Sequence, residues 1–132
     1  VVALDGSNRT FTVPAEKTWK FDFLWARLVS NATVGNRQMR IDIGDGTNVL
    51  WFKNFGAVQA ASLTRDYYAA ADMPDDAAFN AAGQIRMWLL ARTLPAGYTI
   101  RVYDVSAIDN VSPADTLTVR FLVDERRVGA RV

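Results

Sequence analysis

Apolar side chains recur at every second position along most of this 132-residue chain, and stretches of helical period are scarce. A period of two puts alternate residues on opposite faces of an extended strand, so the chain is confined to strands with one covered face. Eight such strands can be marked: Arg9–Val13, Thr18–Ser30, Asn36–Ile43, Val49–Lys53, Ser62–Tyr68, Gln84–Arg92, Tyr98–Val105 and Asp115–Asp124. Turn residues separate them, notably Asn31–Asn36, the Asp-Gly loop Gly44–Asn48, and Pro95-Ala96-Gly97. No helical segment sits between strands, which argues against a parallel sheet with crossover helices. The expected fold is all-β: an eight-stranded antiparallel β-sandwich, jelly-roll-like, in one domain. Its core spans about residues 9–125, with arms at 1–8 and 126–132.

The longest strand carries a phase break. Trp19, Phe21, Phe23 and Trp25 alternate with Lys20 and Asp22, but Leu24, Ala26 and Leu28 then continue the opposite phase. Either a bulge shifts the register there or the second half is covered on both faces. The phase of the first half puts Trp19 and Trp25 in the core. In the next strand Met39, Ile41 and Ile43 are expected inside, with Arg40 and Asp42 outside.

The chain has no cysteine and no histidine. That removes disulfides, thiolate nucleophiles, Cys-ligated metal sites, and the commonest general base. Neither a cofactor nor a metal site is expected, and the chain is not expected to be an enzyme. Carboxylates are what remains for chemistry. Asp42 and Asp45, with Asp104 or Asp109 across a loop, offer a few oxygens to a hard cation, but a calcium ion takes six to eight. The plainer reading of Asp45-Gly46 is a turn, with Asp45 accepting backbone N–H groups and Gly46 at positive φ. A glycosidase pair is poorly served by only two glutamates, Glu16 and Glu125, and by the adjacent Asp75 and Asp76.

Fifteen basic residues against 14 acidic ones give a net charge of +1, which provides no electrostatic case for nucleic-acid binding. The uncharged apolar runs are too short for a membrane-spanning helix. The start, Val1–Leu4 followed by Asp5 and Gly6, has no secretory-leader pattern and reads as a processed or trimmed end. The basic residues are twelve Arg and three Lys, a bias that suits interfaces better than a merely solvated face. Arg27, Arg37, Arg40, Arg86, Arg92, Arg101 and Arg120 lie on or beside strands, many opposite the core phase. Trp88 is out of phase with Ile85, Met87 and Leu89, which makes it a candidate for an outward ring covered by a partner. The expected interface residues are Trp88, Arg86, Arg92, Arg126, Arg127 and Arg131, together with the apolar arm residues Val1, Val2 and Leu4. Outward Trp and Tyr in one patch would equally suit a carbohydrate- or receptor-binding module.

Two stretches, LVSNATVGNRQMRIDI (Leu28–Ile43) and LPAGYTIRVYDVSAIDNVSPADTLTVRFLV (Leu94–Val123), with AVQAASLTRDYY between them, resemble small β-sandwich structural proteins of tailed bacteriophages. The type they most resemble is the jelly-roll cement or decoration protein of the capsid. The resemblance covers about Trp19 to Val123 and implies no particular functional residue. It implies a virion subunit on the capsid exterior, assembled in the host cytoplasm, that stabilises the major capsid protein lattice. The implied partners are the major capsid protein and a second copy of the chain, with a tail or collar subunit as the neighbouring possibility. Neither direct nucleic-acid contact nor a membrane is expected.

Overall fold

A computed structural model describes residues 8–70, 83–88, 92–106 and 114–128. Among these residues there are nine strands and no helix: β1 (Asn8–Thr12), β2 (Lys17–Val29), β3 (Met39–Gly44), β4 (Val49–Asn54), β5 (Thr64–Ala70), β6 (Gln84–Trp88), β7 (Thr93–Leu94), β8 (Thr99–Asp104) and β9 (Thr116–Arg127). They form two sheets packed as a β-sandwich. The smaller sheet has the order β1-β8-β3-β4. In the larger one, β2 is central: β9 pairs along one side, while β5 and the two-residue β7 share the other, and β6 lies beyond β5.

Two features correct the expected eight antiparallel strands. Thr93–Leu94 forms a short ninth strand against Trp19 and Lys20. The β5–β6 pair is parallel, Asp66 opposite Gln84 through Ala70 opposite Trp88. The long connection from Ala70 to Gly83 leaves room for the chain to return to the start of β5 before pairing, which a tight hairpin would forbid. The C-terminal boundary also moves: β9 runs on through Arg127, opposite Lys17, and the Val128 N–H donates to the Glu16 carbonyl. Thirteen-residue β2 is long enough to supply that extra ladder. The arm residues Val1, Val2, Leu4 and Arg131 lie outside the described residues.

The core lies between the sheets. Leu24, Ala26, Leu28, Met39, Ile41, Tyr67, Met87 and Val102 are wholly buried, as the period-two phase of their strands requires. Each large aliphatic among them contributes roughly 1.5–3 kcal/mol of transfer free energy. At the β1–β9 end the core is aromatic. Phe121 touches Phe11, Trp19 and Phe21 at ring-centroid distances of 4.6, 5.6 and 5.3 Å.

A bulge resolves the phase break in β2. Phe21 faces Val123 and Phe23 faces Leu122, so Asp22 is the extra residue. Trp19 and Phe21 therefore point into the core, and Leu24, Ala26 and Leu28 follow them inward. Phe23 and Trp25 are turned to the outer face. Trp25 is thus half-buried on the outer surface and is not a core residue, a reversal produced by one inserted aspartate.

Buried polar groups tie the loops down. Arg37, expected on a solvated or interfacial sheet face, is 0% exposed. It lies between β2 and β3, and Asp115, directly before β9, meets it. All five guanidinium N–H donors are used: Nε and Nη2 on the Asp115 carboxylate (2.9 and 3.2 Å), Nη1 on the Thr33 and Gly35 carbonyls, and Nη2 also on Asn31 Oδ1. Its backbone pairs with Gln59 in both directions at 2.8 Å. The buried Gln59 amide donates to the Leu28 and Leu63 carbonyls and accepts from the Tyr67 hydroxyl. Burial pushes the Tyr67 phenol far above its usual range.

Candidate docking face and the Asp42 groove

Residues paired across strands share a face, so register maps the outer surface of the larger sheet. One row runs Arg86, Tyr68, Trp25, Arg120, and the next runs Gln84, Asp66, Arg27, Thr118. Toward the bulge, Ala70, Phe23 and Leu122 lie side by side. Phe23 and Tyr68 rings meet at 6.2 Å, and the Arg27 guanidinium lies 5.4 Å from the centre of the Trp25 ring. Arg27 Nε also donates to Asp66 Oδ1 at 2.9 Å. That carboxylate, by hydrogen bond first and charge second, raises the Arg27 pKa. Leu122, near the middle of β9, is 65% exposed, and among the described residues β9 pairs only with β2. Aromatic rings flanked by arginine on an apolar floor match the composition of interface hot spots.

The expected interface residues fall unevenly on this face. Arg86 and the backbone of Trp88 belong to β6 at one edge, with Arg86 in the Trp25 row. The Trp88 side chain lies outside the described residues. Arg126 is on the same face at the far end of β9, opposite Thr18 and ion-paired with Asp124 at 3.3 Å. It helps line a groove of about 340 Å³ with Lys20, Thr93 and Asp124. Arg127 and Arg92 are exposed but stand apart from the aromatic row. What joins the two edges is Phe23, Trp25, Tyr68, Arg27, Arg120 and Leu122, none of them among the expected interface residues. The signal in the sequence for Phe23 and Trp25 is the phase break that follows Phe23.

The outer face of the smaller sheet has a different character. Thr10, Arg101, Asp42 and Phe52 form one row, and Asn8, Tyr103, Arg40 and Asn54 form the next. Arginines stack on rings in both rows: Arg40 over Phe52 at 4.3 Å and Arg101 over Tyr103 at 3.7 Å. Asp42 points to the outer side as expected, yet it is only 3% exposed. Arg101 and Phe52 flank it on the two adjacent strands. Arg101 Nε donates to Asn8 Oδ1, and Asp42 Oδ2 has no hydrogen-bond partner. Beside Asp42 opens a groove of about 260 Å³, lined also by Thr10, Gly44, Thr47, Asn48, Thr99 and Arg101.

The other carboxylates are engaged locally. Asp45 Oδ1 accepts the Thr47 and Asn48 N–H groups, and Gly46 has φ 95°, the turn expected of Asp-Gly. Those two backbone donors hold its pKa below the usual aspartate value. Asp104 accepts from the Gln38 N–H and from Ser106, yet burial dominates and raises its pKa. Glu125 accepts the Trp19 indole N–H at 2.7 Å and Lys17 Nζ at 3.2 Å, which lower its pKa. Asp75, Asp76 and Asp109 lie outside the described residues. Among the described residues no three acidic side chains gather as metal ligands. Comparison with protein families, with curated proteins and with solved structures finds no match to this chain.

Proposed function

We propose that the chain is a non-catalytic virion structural protein, a decoration subunit that clamps the major capsid protein on the outside of a tailed-phage head. The observation that carries the reading is the outer face of the larger sheet, where the bulge at Asp22 turns Phe23 and Trp25 outward beside Tyr68, Arg86 and Arg120. A bulge costs ladder pairing, and aromatic rings are expensive to leave in water, so a sheet that spends both on its exterior is suited to a protein partner. The sequence resemblance supplies the kind of partner. A jelly-roll winding of the sandwich and the capsid-exterior location belong to the same proposal.

The test is co-sedimentation of the purified chain with undecorated phage heads, followed by heat or low-salt challenge of the particles. The chain should pellet with the heads and raise their resistance, and Trp25→Ala should abolish both effects while its melting temperature stays near the parent's. A chain that remains in the supernatant, or that leaves the heads no more resistant, sinks the proposal.

The Asp42 groove favours one second reading, recognition of a glycan. A buried carboxylate beside a guanidinium, threonine hydroxyls and an asparagine gives sugar hydroxyls both acceptors and donors. Binding on a glycan array that disappears in Asp42→Ala supports this reading, and silence across the array rejects it.

A further inference from the structure

We propose that two copies of this chain pair through β9, edge to edge and antiparallel about a twofold axis at Leu122, fusing their larger sheets into one continuous sheet. The inference goes beyond the docking face, because it concerns the sheet edge and the association of the chain with itself. β9 is twelve residues long and bonds β2 along its whole length on one side. Among the described residues, no strand pairs with its other side. Exposed edges are ordinarily short, bulged or interrupted, because unpaired N–H and C=O groups invite another strand. This edge is long, carries no bulge of its own, and has its most exposed apolar residue, Leu122 at 65%, near the centre.

The side chains select the occupant and the register. In an isologous antiparallel pair each residue meets its mirror position in the second copy. With the axis at Leu122, the two leucines face each other and cover their exposed surface. Arg120 then stands opposite Asp124 of the second copy, twice by symmetry. With the axis at Val123, Arg120 meets Arg126 of the other copy; with the axis at Asp124, the two aspartates oppose. Like charges directly opposite are unfavourable and opposite charges favourable, so the Leu122 register is preferred over both. Asp124 is available for this. Its existing partner Arg126 has a side chain 79% exposed, and such surface pairs are weak.

Sedimentation equilibrium of the isolated 14.6 kDa chain should return the mass of a dimer. Arg120→Asp and Asp124→Arg should each weaken association by about tenfold or more, and the combined variant should restore it, because the pair is then reversed and still complementary. The absence of cysteine allows a second test that does not depend on the charge variants folding. Under oxidised glutathione, Leu122→Cys should link into a covalent dimer, since directly opposed residues have Cα atoms about 4.5–5.5 Å apart, within disulfide reach. Thr118→Cys should not link, because its two copies would stand about 27 Å apart at roughly 3.4 Å per residue. A monomeric parent chain, a dimer indifferent to the charge reversals, or Thr118→Cys linking as readily as Leu122→Cys overturns the proposal.

Discussion

Replacing Arg37 with methionine should unlock the loop between β2 and β3 and take away much of the stability of the fold. The guanidinium is wholly buried and its partner Asp115 is equally inaccessible. With methionine in place, the Asp115 carboxylate loses contacts of 2.9 and 3.2 Å and keeps the Asn31 N–H at 2.7 Å. The Thr33 and Gly35 carbonyls lose their donor as well. Breaking one side of a buried ion pair typically costs about 3–5 kcal/mol, because the surviving charge remains in a poor dielectric. The remaining Asn31 donor places this case near the lower end, about 3–4 kcal/mol, against a total stability on the order of 5–15 kcal/mol. For a domain of this size that is a fall in melting temperature of about 12 °C, or a shift in urea midpoint of about 1.5–2.5 M. Urea unfolding followed by circular dichroism reads it directly, with the m-value as a check that the transition stays two-state. The double variant Arg37→Met, Asp115→Leu should recover part of the loss, because no buried charge is then stranded. A cost below about 1 kcal/mol for the single variant, with unchanged m, would falsify the account of a sealed pair.

Three further outcomes test other parts of the fold. Leu24→Ala should cost about 2–5 kcal/mol and its neighbour Phe23→Ala far less, a contrast in urea midpoints that vanishes if β2 has no bulge at Asp22. Gly44→Ala should destabilise the β3–β4 hairpin, because its added Cβ would sit 2.8 Å from the Asn48 carbonyl oxygen and 3.1 Å from Thr99 Oγ1; an unchanged melting temperature would show that the hairpin yields freely. Glu125 has a folded pKa below its unfolded value, so its contribution is complete above the ordinary glutamate range and is lost as pH falls through the folded value. Glu125→Gln should therefore lose less stability than the parent between pH 6 and about pH 3, and equal losses would show that the Trp19 and Lys17 contacts do not matter.

Strand identity was legible in the sequence because alternation is a local signal. Met39, Ile41 and Ile43 are inside, Tyr67 and Ile85 fall on buried faces, and the Asp45-Gly46 turn forms with its expected side-chain bonds. The errors come from long-range geometry. Nothing in residues 70–83 announces that β6 runs parallel to β5, since parallel and antiparallel pairing use the same alternation. Arg37 looks like any other strand-flanking arginine. Its burial depends on Asp115, 78 positions away, being brought beside it where β9 begins opposite the end of β2. Asp42 keeps the outward phase it was assigned, yet it is only 3% exposed between Arg101 and Phe52 on the adjacent strands. Phase gives the side of a sheet, whereas burial depends on the cross-strand neighbours.

The candidate docking face shows the same limit and the one local signal that survives it. Four aromatics at Trp19, Phe21, Phe23 and Trp25 in unbroken phase would all belong in the core, and Leu24, Ala26 and Leu28 would then be left on the outer face. Leu24, Ala26 and Leu28 also need burial, and one strand cannot bury both phases against a single layer. Inserting Asp22 as a bulge satisfies both demands by sending the first aromatic pair inward and the second outward. The aliphatic half of β2 keeps its contacts with β5 and β9, and the surface receives Phe23 and Trp25 in register with Tyr68, Arg120 and Leu122. The same residue that resolves the packing conflict therefore builds the outer face, so the fold and the proposed docking surface share one cause.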